Sequence, residues 1–259
     1  MKIVTLLENT TCSEELACEH GLSLYIETGT HKILFDAGST DAFAQNAEKL
    51  GIDLSQVDIA VLSHGHDDHG GGLGHFLKIN QTAPVYIHEH AFRTHGNAVG
   101  KNIGLDPRLL DTGRVIPVGE HLAIDDGIVL YACNEKPRPF GTDSAGLTEE
   151  GKPDLFTHEQ YLLIREGETT VLISGCSHKG ILNIMQWFSP DILVGGFHFM
   201  KIDPEKQRDL LEHAAGKLLA HPTVYYTGHC TGGPQFAVMK EIMGSRLEAI
   251  STGRELYIP

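Results

Sequence analysis

Ten residues constrain this chain more than any others: Ser63-His64-Gly65-His66-Asp67-Asp68-His69-Gly70-Gly71-Gly72. Four potential metal ligands, His64, His66, Asp68 and His69, fall within six positions. The residues before them, Val57-Asp58-Ile59-Ala60-Val61-Leu62-Ser63, form a short apolar run rich in β-branched side chains and read as a buried strand. The ligands therefore stand where a strand ends. A turn there can point His64 and His66 one way while Asp68 and His69 fold back toward a second centre, with glycines at 65 and 70 to 72 supplying backbone freedom. A lone histidine, in a chain with 16 of them, is more often a surface or hydrogen-bonded core residue. A cluster of imidazoles around a carboxylate is different, because without a cation it would be desolvated for no return. The pattern predicts two adjacent metal ions.

The rest of the chain sets the class. A length of 259 residues with 41% hydrophobic composition can bury a full core, and a single layered α/β domain over 1–259 is expected. The start, Met1-Lys2-Ile3-Val4-Thr5-Leu6-Leu7-Glu8-Asn9, lacks the marks of a secretory signal, and no apolar run approaches the roughly 18 to 20 residues that span a bilayer. Cys12, Cys18, Cys133, Cys176 and Cys230 are odd in number, scattered and without a Cys-x-x-Cys pair, which fits a reducing compartment. A cytoplasmic protein, not membrane-associated, is expected. A formal charge of -14 without any Lys/Arg-rich segment argues against nucleic acid as a partner. Bound cations would offset part of that charge locally, so a small anionic substrate remains compatible. Oligomeric state is left open.

Along the chain, residues 2 to 7, 21 to 27 and 32 to 36 read as an opening β-meander. A helix follows from Asp41 to Leu50, stopped by Gly51; a short helix is expected near Leu73 to Ile79 and a strand at Pro84 to His88. A loop from 94 to 113 could line the site. Residues 114 to 133 resemble a strand pair around Asp125-Asp126-Gly127, and 134 to 157, rich in Pro and Gly, form the longest irregular stretch, of the kind that covers a site or is mobile. Then comes a strand from Gln160 to Arg165. Three further apolar strands each lead into a glycine and a histidine: Thr170 to Ser174 before Gly175-Cys176-Ser177-His178, Asp191 to His198, and Thr223 to Cys230. Helices are expected at Gly180 to Phe188, at Asp203 to Ala220 with Asp203 as N-cap and Pro204 in the first turn, and at Pro234 to Met243 before a terminal strand.

His64-Gly65-His66-Asp67-Asp68-His69, reached from a strand, resembles the signature of the metallo-β-lactamase fold superfamily. Glu19-His20-Gly21-Leu22-Ser23, Phe35-Asp36-Ala37-Gly38, Ser174-Gly175-Cys176-Ser177-His178, Gly195-Gly196-Phe197-His198 and Thr227-Gly228-His229-Cys230-Thr231-Gly232 are similar to the dihydropterin–ribofuranosylaminobenzene phosphate synthase-like metal-dependent hydrolases within it. The resemblance implies an α/β fold, a four-layer αββα sandwich with two metals at one edge. It assigns His64 and His66 to the first metal, Asp68 and His69 to the second, and His229 to the completion of the second site. His178 is favoured as the remaining first-site ligand, with His158 as the rival. Where many members carry a bridging aspartate after glycine, this chain has Gly175-Cys176, so Cys176 is either a thiolate ligand or a small buried hydrophobe. Asp68 and His198 are the expected catalytic residues, His198 through a hydrogen bond to substrate or to a ligand's second nitrogen. His20, Asp36 and Asn183 lie beside the expected site edge, Asp36 with an equal claim to organising the loop backbone. His31, His75, His88, His90, His95, His121, His213 and His221 lack ligand spacing and are read as structural.

The implied cofactors are two divalent metal ions, zinc first, with manganese or iron as alternatives. The leading functional expectation is hydrolysis of a small phosphate ester or phosphodiester through metal-bound hydroxide. A second is a transferase joining a dihydropterin diphosphate ester to an aminobenzene ribosyl phosphate. A third, of another class, is a non-catalytic metal-dependent sensor of small anions. A β-lactamase and an oxygen-reducing di-iron protein are both disfavoured, the first by the absent secretory signal, the second by His66 where a carboxylate is usual.

Overall fold

Near-continuous apolar runs along short strands give each of two sheets two buried faces, and this produces four layers. The fold is seen in a computed structural model that describes residues 1–142 and 144–259. The first seven-stranded sheet runs, in spatial order, Glu255–Tyr257, Lys2–Leu7, Ser23–Glu27, Lys32–Phe35, Ile59–Val61, Val85–His88 and Val115–Val118. The second runs Leu247–Ala249, Val224–Thr227, Ile192–Val194, Thr169–Ile173, Tyr161–Glu166, Ile128–Tyr131 and His121–Asp125. Ile33, Phe35, Ile59 and Val61 point inward to meet Leu162, Ile164, Val171 and Ile173 of the second sheet. Their neighbours Leu34 and Ala60 point outward, onto Phe43 and Ala47 of helix Ala42–Lys49 and Leu73 and Phe76 of helix Leu73–Ile79. On the far side, Tyr161, Leu172, Leu193 and Tyr225 pack on helices Ile181–Phe188, Arg208–Leu219 and Gly233–Met243. The expected αββα sandwich is present.

Each sheet is antiparallel at one end and parallel at the other. Pairings are antiparallel from the C-terminal strand through Lys32–Phe35 and parallel from there to Val115–Val118. In the second sheet the parallel block holds Thr169–Ile173, Ile192–Val194, Val224–Thr227 and Leu247–Ala249. Parallel strands end together, so the residues following them share one sheet edge, the usual place for ligands in α/β architectures.

Three sequence expectations need correction. Residues 114 to 133 hold three strands, not two: Val115–Val118 joins the first sheet, and only His121–Asp125 and Ile128–Tyr131 form the hairpin, so the chain changes sheets at Gly119-Glu120. The helix expected from Asp203 begins at Arg208, because the Asp203 carboxylate accepts from the Glu205 and Lys206 backbone N–H groups and closes a separate turn. The loops at 94–113 and 134–157 are partly structured, contributing His95–Gly96, Thr148–Glu149 and Lys152–Pro153 to a small three-stranded sheet; position 143 lies outside the described residues. No described helix is long and apolar enough to cross a membrane.

Candidate metal centre

The expected residues gather where the parallel strands end. Asp36 follows Lys32–Phe35, the His64–His69 motif follows Ile59–Val61, Cys176 and His178 follow Thr169–Ile173, His198 follows Ile192–Val194, and His229 follows Val224–Thr227. Asp36, His198 and His229 all have positive φ, at 58°, 58° and 50°, unusual for non-glycine residues and typical of side chains turned out of a strand into a site. Gly175 has no side chain because a Cβ there would collide with Ser63 Oγ; the two sheets meet closely at this point.

Hydrogen bonds fix the tautomers, and these decide which nitrogens can bind a cation. Asp36 is fully buried and accepts from the Ser63 backbone N–H at 2.7 Å, from Ser63 Oγ at 2.7 Å and from His69 Nδ1 at 2.6 Å. Since the Ser63 hydroxyl is donated to Asp36, its oxygen accepts from His64 Nδ1 at 2.8 Å. His229 Nδ1 likewise donates to Asn9 Oδ1 at 2.9 Å. Each of these three rings thus has a proton on Nδ1 and turns Nε2 toward the centre.

Those nitrogens face one another. His69 Nε2 lies 3.1 Å from His229 Nε2 and 3.2 Å from Cys176 Sγ, and Asp68 Oδ2 lies 3.6 Å from His69 Nε2 and 3.3 Å from His229 Nε2. A tetrahedral ion with bonds near 2.0 to 2.1 Å holds nitrogen and oxygen donors about 3.3 to 3.4 Å apart. Asp68, His69 and His229 therefore match a divalent cation in both donor chemistry and spacing, and Cys176 stands beside them with its thiol pushed well above the usual range by burial. Charge agrees. Burial opposes charge on His69, but Asp68 and Asp36 outweigh it and lift its pKa to about 9, so the pocket calls for a positive charge at that nitrogen. Burial also opposes ionisation of Asp68, yet His69, His20 and His229 hold its carboxyl well below the usual range.

The other half is centred on His64. Its Nε2 lies 3.3 Å from His178 Nε2, and His64 forms one donor set with Cys176 and His178 and another with His66 and Asp68. Burial and neighbouring imidazoles push His64, His66 and His178 well below the ordinary histidine pKa, leaving them neutral. His178 is set by the segment Asp154–Gln160: its ring stacks on Phe156 at 4.4 Å and 8°, and its backbone N–H donates to Glu159 at 2.7 Å.

His158, the rival for the first site, faces elsewhere. Its Nδ1 accepts from the Gly65 N–H at 2.9 Å and its Nε2 lies 3.1 Å from Asp154 Oδ2. The sequence reading missed His95, which is fully buried beside His158 with neither ring nitrogen hydrogen-bonded, and Asp154, which faces both. Neither lies near another histidine in a recognisable pattern along the chain, so spacing carried no signal. Asn183 braces a loop, donating to Phe140 O and Lys179 O. Asp36 organises the motif as described, and His20 reaches Asp68 Oδ2 at 3.3 Å from the cleft rim.

The centre opens into a cleft of about 430 Å³ whose lining includes His198, His20, Lys101, Lys201, Val99 and Met200. His198 stands 4.4 Å from the His178 ring, on the cleft side. The arrangement can hold cations at its floor and meet an anion with lysines at its mouth.

Comparisons with known proteins identify the family. A synthase from Methanocaldococcus jannaschii, 7,8-dihydropterin-6-methyl-4-(beta-D-ribofuranosyl)-aminobenzene-5'-phosphate synthase, is 27% identical, with 98% of this chain and 95% of that protein covered. The crystal structure of Tm1679, described as a metal-dependent hydrolase of the β-lactamase superfamily, superposes with a TM-score of 0.82 at 26% identity, covering 100% of this chain and 99% of that one. Zinc-bound PqqB from Methylobacterium extorquens shares the fold at a TM-score of 0.58 and 12% identity, with both chains fully covered. The family model for the metallo-beta-lactamase superfamily matches residues 17–235, and the chain belongs to that superfamily.

Proposed function

We propose that the protein is a metal-dependent hydrolase with a dinuclear centre, acting on a small phosphate ester or phosphodiester. One observation carries this reading: Asp68, His69 and His229 bring donor atoms within 3.1 to 3.6 Å of one another, with Cys176 Sγ 3.2 Å from His69 Nε2, at the floor of an open cleft. In this reading Asp68, His69 and His229 hold one ion, His64, His66 and His178 hold the other, and Cys176 lies between the two sets. Zinc suits the donors, with manganese and iron as alternatives. When bound, such ions polarise a phosphoryl oxygen and lower the pKa of a water molecule.

The chain's own groups supply the rest. Lys101 and Lys201 attract an anionic substrate to the mouth, and Val99 and Met200 offer apolar contact to its organic part. His198 faces the cleft as a contact for phosphoryl oxygens. His20, 56% exposed and held by Asp68, is placed to hand a proton to a departing oxygen and recover one from solvent. This assigns catalytic roles to Asp68 and His198.

A second reading, a transferase joining a pterin to an aminobenzene ribosyl phosphate, is favoured by the synthase relative that spans nearly the whole chain. There the same cleft would hold two substrates. The test pairs metal content with turnover of bis(4-nitrophenyl) phosphate by wild type and Asp68→Ala. About two metals per chain and turnover lost in the variant support the hydrolase. Two metals without turnover shift the assignment to the transferase, and wild-type turnover by Asp68→Ala rules out the proposed centre.

A further inference from the structure

We propose that Asp154 is a positioning residue for His66, holding the ring so that Nδ1 faces the metal centre, and that it ties the small three-stranded sheet to that ligand. This rests on the reading that His66 binds a metal. Asp154 follows Lys152–Pro153 and is itself immobilised: its backbone N–H donates to Leu147 O at 3.0 Å, and its Oδ1 accepts from the Phe156 N–H at 2.6 Å. Its other oxygen, Oδ2, faces three buried imidazoles: His158 Nε2 at 3.1 Å, His95 Nδ1 at 3.4 Å and His66 Nε2 at 4.0 Å.

Two chemistries account for one carboxylate among three imidazoles. The four groups could cage a further cation, since their separations approach those of a tetrahedral site. A protonation argument decides against it. The Gly65 N–H donates to His158 Nδ1, so that nitrogen keeps its lone pair and the ring proton sits on Nε2, directed at Asp154. A nitrogen that carries its proton has no lone pair for a cation, and the cage lacks one of its four donors. Asp154 is then an acceptor for imidazole N–H groups.

His66 is the ring that needs such an acceptor. Its Nε2 is sealed from solvent and makes no hydrogen bond, whereas the ring lines the cleft beside His64 and Asp68. An imidazole that ligates through Nδ1 carries its proton on Nε2, and that proton faces Asp154. Closing 4.0 Å to a charge-assisted hydrogen bond of about 2.8 Å takes a ring movement of about 1 Å. Carboxylates in this relation to a ligating histidine fix its tautomer and orientation, and their loss typically weakens metal binding about 10- to 100-fold.

The test is proton NMR of the full chain with and without zinc, alongside chelator competition on wild type, Asp154→Asn, His95→Ala and His66→Ala. The expected result is a slowly exchanging His66 Nε2–H resonance that appears when zinc is added to wild type and is missing in Asp154→Asn. Asp154→Asn should weaken one zinc of the two by about 10- to 100-fold and leave the other unchanged. Unchanged affinity in Asp154→Asn, or no such resonance in zinc-loaded wild type, overturns the proposal; the second result requires no variant to fold. A third zinc per chain that His95→Ala removes also overturns it, in favour of the cage. If His66→Ala keeps its full metal content, the underlying assignment of His66 fails; if it loses metal while Asp154→Asn does not, only the role of Asp154 fails.

Discussion

The two halves of the candidate centre are built differently. In the Asp68/His69/His229 half the two rings are held by carboxylate and amide side chains that touch them directly, Asp36 on His69 Nδ1 and Asn9 on His229 Nδ1. His66 and His178 depend on an irregular segment, Asp154–Gln160, which reaches them by stacking, by a backbone hydrogen bond and by a carboxylate still 4.0 Å away. The first half has its rings fixed by hydrogen bonds. In the second half only His64 is fixed in this way, through Ser63, while the rings of His66 and His178 are arranged by packing, so the same kind of substitution should act differently on the two.

The largest effect is expected for Asp36→Ala. This carboxylate serves a backbone N–H, a hydroxyl and an imidazole, all buried, and links His64 through Ser63 to His69. Its removal leaves those donors unsatisfied and should cost about 3 to 5 kcal/mol in urea unfolding. It should also abolish binding in the Asp68/His69/His229 half first. Loss of the other half alone would contradict the comparison.

Acid should separate the halves next. Metal binding must displace the proton from His69, whose pKa stands at about 9 once the two carboxylates have outweighed burial. Protons therefore compete below that value, and affinity in this half should fall about tenfold for each unit of decreasing pH. His64, His66 and His178 have pKa values pushed well below 6.5 by burial, so they hold no proton to displace between pH 6.5 and 9. Chelator competition across that interval should show one steep and one flat site; two parallel slopes would remove the electrostatic distinction.

Glu159 is the counterpart of Asp36 in the other half, but it accepts from the backbone N–H groups of His178 and Lys179 and from Tyr161 Oη, and from no imidazole nitrogen. Glu159→Gln turns one acceptor into a donor facing these N–H groups and should cost about 1 to 3 kcal/mol of stability. Metal affinity should fall less than in Asp36→Ala, and in the His178 half alone. A larger metal effect than that of Asp36→Ala would mean that the packed half is the more rigid one.

This difference in construction also explains what could be read from the sequence. His64, His66, Asp68 and His69 sit within one turn after an apolar strand, and His178, His198 and His229 each follow a strand and a glycine, so period-2 burial and strand-end position exposed them. The αββα layering was legible for the same reason: Leu34 and Ala60 face the helices while Ile33, Phe35, Ile59 and Val61 face the other sheet. Asp154, His95 and the bracing role of His158 were not, because they are brought together only by tertiary structure, as in the bond from Gly65 N–H to His158 Nδ1 across 93 positions. Gly- and Pro-rich composition marked 134 to 157 as irregular, and nothing local showed that Asp154 and Phe156 near its end would be buried. The start of the helix at Arg208 was lost to the same blindness, since Asp203-Pro204 suits a turn as well as a helix N-terminus.

The smallest expected effect gives the finest measure of packing. Phe156 is buried and lies almost parallel to His178, with centroids 4.4 Å apart and 8° between planes. Its φ of 55° falls in the left-handed region, where a β-branched replacement would add strain of its own, so leucine is the informative substitution. Phe156→Leu keeps most of the apolar volume and removes the stack, which is worth about 1 kcal/mol. If stacking is what orients His178, zinc affinity in the His64/His66/His178 half should drop about fivefold while the Asp68/His69/His229 half is unchanged in the same titration. An equal drop in both would show that the segment Asp154–Gln160 braces the whole centre and that the two halves respond as one unit.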